Sequence, residues 1–108
     1  MTNSNWTYNE FLAFLLVYAG GMDSALSKEE LKFIKERTQI NDIEKIKTTV
    51  DSVNDIEAIE ILDGYRKLYL DTKEKKEQTK SDLENLLKTP GTHSQLEKAG
   101  VHILEKLI

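Results

Sequence analysis

Apolar residues along this chain recur at spacings of three and four. Nowhere do they alternate with period two for long enough to make a strand, so the pattern predicts helices throughout. Phe11, Leu12, Phe14, Leu15, Leu16, Val17 and Tyr18 leave no polar face between them. A helix that is apolar on every side belongs in the middle of a bundle or at an interface between chains. Thr7 and Glu10 form a capping-box pattern ahead of it, and Gly20-Gly21 supply an end, because glycine adopts the left-handed conformation of a helix terminus.

Ser27 opens a second helix with Leu31, Phe33 and Ile34 as its apolar positions, closing near Thr38. A third starts at Asn41 with Glu44 and carries Ile43, Ile46, Val50 and Val53, with Ile40 just ahead. Asn54 caps a fourth, in which Ile56, Ile59, Leu62, Tyr65 and Tyr69 form one stripe and Ala58, Ile61 and Leu68 widen it. Thr72 to Lys88 has the length of a fifth helix, yet Asp71 to Asp82 contains no apolar residue. Pairs such as Lys73 and Glu77, one turn apart, support either a solvated helical turn or a frayed connector. A last helix begins at Ser94 and carries Leu96, Val101, Ile103, Leu104, Leu107 and Ile108. The expectation is a single all-α domain over residues 1–108, a compact bundle of about six helices.

Two loops repeat one arrangement. Asp23-Ser24-Ala25-Leu26-Ser27-Lys28-Glu29-Glu30 and Pro90-Gly91-Thr92-His93-Ser94-Gln95-Leu96-Glu97 each follow an apolar run, and each places a serine three residues before a glutamate. The unit is helix, acidic loop, capped helix. An EF-hand register ending at Glu30 puts Ala19 and Gly21 at ligand positions and Ser24 where glycine is required, so that motif does not fit.

With Val17-Tyr18-Ala19 followed by Asp23, Leu26, Ser27 and Glu30, the chain resembles the TerB-like family, helical bacterial domains related to the tellurite-resistance protein TerB. The same module stands at the N-terminus of some DnaJ-type co-chaperones. Gly91, Ser94 and Glu97 repeat the pattern, although Pro90 replaces the second aspartate and Gly20-Gly21-Met22 lengthen the first approach. The resemblance implies divalent-cation binding by loop carboxylates, association with stress responses and no catalytic reaction. Its candidate ligands here are Asp23, Ser27, Glu30 and Glu97. Hard oxygen donors of this kind favour Ca²⁺, Mg²⁺ or Mn²⁺ over zinc. A protein partner at the first loop and its neighbouring surface is the accompanying expectation. The alternative is an adaptor or structural domain in which Ser27 and Glu30 only cap a helix.

Composition narrows the remaining classes. The 108 residues include no cysteine, which removes disulfides and thiolate chemistry and makes the cytoplasm the expected location. Fifteen basic and nineteen acidic residues give a net charge of −4 with no basic face standing out, so nucleic acid is not an expected partner. The apolar run at Phe11–Ala19 is far shorter than the ~20 residues of a membrane span. Neither a phosphate-cradling glycine loop nor a His-Glu-x-x-His helix occurs, and His93 and His102 lack neighbouring partners. The aromatic residues Trp6, Tyr8, Phe11, Phe14 and Tyr18 read as the entry into a core helix, or as the seam of a homodimer formed through that first helix.

Overall fold

Helix α1 (Tyr8–Gly20) is the hub of the molecule. Thr7 Oγ1 accepts the Glu10 amide at 3.2 Å and Glu10 Oε1 accepts the Thr7 amide at 2.9 Å, completing the expected box. The computed structural model describes residues 6–20 and 27–88, and within them every regular element is a helix. Four more follow α1: α2 (Lys28–Thr38), α3 (Ile43–Asp51), α4 (Asp55–Tyr69) and α5 (Lys73–Lys88). The helix expected from Ser94 lies outside the described residues.

All four later helices pack against α1. Phe11, Leu12, Phe14 and Leu16 are at most 1% exposed, and Ala13, Leu15, Val17 and Ala19 are also buried. Full burial of each large apolar side chain is worth about 1.5–3 kcal/mol relative to leaving it in water, which makes α1 the main source of stability. Within this chain those side chains are covered by the other helices, while Tyr8 and Tyr18 stay partly exposed.

Start signals operate mostly where the sequence places them. Ser27 and Glu30 form a complete capping box on α2, and Asn54 and Glu57 form another on α4. Thr72 Oγ1 accepts the Lys75 amide at the head of α5. At α3 the cap is Asp42 instead of Asn41: its Oδ1 accepts the Lys45 amide at 3.2 Å. Ile43 has to enter the core, which fixes it as the first helical residue and puts Asp42 in the capping place, where a negative charge also suits the helix dipole. A left-handed terminus is seen on α2, where Gln39 has φ 59° and donates to the Lys35 carbonyl at 2.7 Å. Gly20 is the last residue of α1, and Gly21 lies outside the described residues.

Helix α4 keeps Ile59, Leu62, Tyr65 and Tyr69 of its expected stripe on the core and leaves Ile56 and Leu68 outside. Ala58, Leu62 and Tyr65 face the core, while Ile56 is 74% and Leu68 59% exposed. At 100° per residue both sit about 120° from Leu62, on opposite sides, so a core facing Leu62 leaves each of them outside. Aromatic packing fixes the choice. Trp6 stacks on Tyr65 at 5.2 Å and tilts against Phe14 at 5.0 Å, and Tyr69 donates a hydrogen bond to the Trp6 carbonyl.

Candidate functional site

Of the residues expected to hold a cation, Asp23 and Glu97 lie outside the described residues. Ser27 and Glu30 are brought together, and they serve each other's backbone. Glu30 Oε1 accepts the Ser27 amide at 2.8 Å, and Ser27 Oγ accepts the Glu30 amide at 3.1 Å. Glu30 is only 2% exposed. Among the described residues no three acidic or histidine side chains converge in a way that would hold a metal ion. Two engaged donors fall well short of the six to eight oxygens of a calcium site. The fit of this loop to a cation therefore depends on Asp23 and Glu97.

Immediately after that box the surface changes character. An open groove of about 510 Å³ runs between α2 and α3, lined by Leu31 and Ile43 together with charged side chains from both helices. Lys28, Lys32 and Lys35 stand at i, i+4 and i+7 on α2, within about 60° of one another around the helix. All three are exposed, and none forms an ion pair among the described residues. The acidic side chains on the other wall are already engaged: Asp42 caps α3, and Glu44 lies 3.9 Å from Lys47. Lys28 is the first residue of α2, where the helix dipole disfavours a cation. Local stability gives no reason for a lysine there. A net-acidic composition hid this stripe from a reading of charge totals, although its i, i+4, i+7 spacing is visible once Ser27 fixes the start of the helix.

A second polar cluster ties α5 to α2 and α1. Arg37 Nε donates to Asp82 Oδ1 at 2.8 Å, and Gln78 Nε2 reaches the same oxygen at 3.3 Å. The side chain of Asp82 is 3% exposed and that of Arg37 29%. Tyr8 and Thr79 hydroxyls meet beside them at 3.5 Å. The hydrogen bond to Asp82, helped by its charge, raises the Arg37 pKa and keeps the guanidinium charged. The part of α5 that reads as apolar-free thus buries Thr79 and Asp82 in line with Leu83 and Leu86. Together they give an i, i+3, i+4, i+7 stripe with two polar members.

Other perturbed groups are also anchored in pairs. Burial, followed by the hydrogen bond to Asp55 at 3.0 Å and the charge of that carboxylate, pushes the Tyr18 phenol up to about 12. The Arg66 hydrogen bond holds Asp63 below the usual aspartate value. These contacts join α1 to α4 and one turn of α4 to the next. In comparisons with known proteins, no family model, no curated protein and no solved structure matches this chain.

Proposed function

We propose that the chain is a non-enzymatic, TerB-like interaction module of the bacterial cytoplasm. It binds a protein partner through the α2 surface beside the first loop, and that loop adds weak affinity for a divalent cation. One observation carries the reading. A helix rigidly capped by Ser27 and Glu30 presents three exposed lysines without ion-pair partners among the described residues, along a groove with apolar residues in its lining. Lysines at the rim of such a groove steer an encounter electrostatically, and apolar burial holds it.

The cation arm draws on the resemblance and on the oxygen donors at Asp23, Ser27, Glu30 and Glu97. Asp23→Ala/Glu30→Gln separates it from a capping role. Loss of heat in titrations with Ca²⁺, Mg²⁺ and Mn²⁺ supports the cation arm. A wild-type chain that gives no heat and no thermal shift at millimolar metal removes it and leaves the adaptor reading.

The partner arm is tested with Lys28→Glu/Lys32→Glu, expressed in place of the wild type. Lys28→Glu relieves a dipole conflict, so the variant keeps its thermal midpoint. Its co-purifying partners should disappear. Partners retained at wild-type levels would contradict the reading.

A further inference from the structure

We propose that α4 is the contact helix of a homodimer, in which two copies of the chain pack antiparallel across Gly64. Gly64 stands inside a 15-residue helix, where glycine costs stability relative to alanine. Neither usual reason for a glycine applies. Its φ is not positive, and a Cβ added there would meet nothing within 4 Å. At 100° per residue Ile61, Gly64 and Leu68 lie within about 60° of one another around α4, to one side of the core-facing line through Leu62. Leu68 is 59% exposed, Ile61 is half-buried and Gly64 is exposed, so the three form an apolar strip with a low point at its middle. Glu57 and the Asn54 cap close its N-terminal end. A low point between two apolar side chains lets a second helix come close and gives it something to bury.

The order of residues along the strip selects the occupant. Ile61 and Leu68 stand three residues before and four after Gly64, and Glu60 and Lys67 stand four before and three after. A two-fold axis near Gly64 therefore sets Leu68 of one copy against Ile61 of the other, and Glu60 against Lys67, twice over. Glu60 and Lys67 lie within about 20° of each other on one edge of the strip, and in an antiparallel pair like edges meet. A parallel pair offers no such match. Glu60 is exposed and has no ion pair among the described residues. Lys67 holds only an exposed contact of 3.7 Å with Asp63, which Arg66 already engages, and such a contact yields readily. An unrelated helix would carry this complementary order by coincidence, whereas a second copy carries it necessarily. Two helices of four turns make a contact below standard interface size, so the dimer exchanges with monomer. The inference concerns α4 alone and stands apart from the reading of α2.

Sedimentation equilibrium of the full chain, from about 10 μM to about 1 mM, tests the proposal. The wild type should show a reversible monomer–dimer equilibrium with a dissociation constant on the order of 100 μM. Leu68→Lys, which suits the C-terminal end of the helix and keeps the fold, should weaken it by about tenfold. Gly64→Gln should weaken it as much, yet raise the thermal midpoint of the dilute chain by roughly 2–6 °C, since the helix gains a better former and only the contact is wedged apart. Lys67→Glu should weaken the dimer, and Glu60→Lys/Lys67→Glu should restore it. Ile56→Asp, on the other side of α4, and Lys28→Glu/Lys32→Glu on α2 should keep the wild-type constant. A chain that stays monomeric at about 1 mM overturns the proposal. So does a dimer indifferent to Leu68→Lys and Gly64→Gln, or one lost with the α2 lysines. A charge swap that fails to recover what Lys67→Glu loses overturns it as well.

Discussion

At the scale of single residues, position in the fold decides what each ionisable group does. Tyr18 shows this most directly. Its phenol is partly buried and donates to Asp55, so the folded state favours the protonated form and raises the pKa from 10.0 to about 12. A raised acid contributes stability that is complete below its ordinary pKa and is lost as pH climbs through the folded value. Phenolate absorbance should therefore show a phase for Tyr18 near pH 12, and Tyr18→Phe should remove that phase. In Asp55→Asn the phase should move back toward 10, stopping short because burial remains. A titration curve unchanged by Asp55→Asn would contradict the assignment. Residue-scale features were legible where the signal is local. The serine, threonine and asparagine caps at Thr7, Ser27 and Asn54 could be read because a cap and its glutamate lie within four residues. Asn41 and Asp42 are both good caps, and only the need to bury Ile43 decides between them.

Helices raise a different difficulty, because which face turns inward is a tertiary choice. On α4 the positions of Ile59, Leu62, Tyr65 and Tyr69 were visible in the sequence. The exposure of Ile56 was not, since it depends on Trp6 stacking over Tyr65 from a distant part of the chain. On α5 a hydrophobicity pattern misses the inner face because two of its buried members, Thr79 and Asp82, are polar. Arg37 and Gln78 both reach Asp82 Oδ1 and offset part of the cost of burying that carboxylate. The two ends of that pair should respond unequally to removal. Arg37→Ala leaves a nearly inaccessible carboxylate without its cation and should cost about 2–4 kcal/mol in urea denaturation. Asp82→Ala leaves an arginine that can reach water and should cost about 1–2 kcal/mol. Equal losses, or the reverse order, would mean that the pair does not hold α5 to α2.

At the scale of the whole molecule, the described residues form one helix, apolar from Phe11 to Ala19, packed against four others. Residues 11–19 could be read as central because no face of that segment is fit for water, and the structure confirms the all-helical plan among the described residues. The α2–α3 groove was not legible. It is formed by two helices meeting, and its positive edge cancels out of a net charge of −4. That groove, next to a serine and a glutamate occupied in capping, supports the proposal of a partner surface on α2. The most direct test puts a photo-crosslinking residue at Lys32 in the groove, or at Ile56 on the exposed side of α4, in the living cell. Discrete adducts from position 32 that are absent from position 56 are the predicted result. Equal labelling from both positions, or none from position 32, would contradict it.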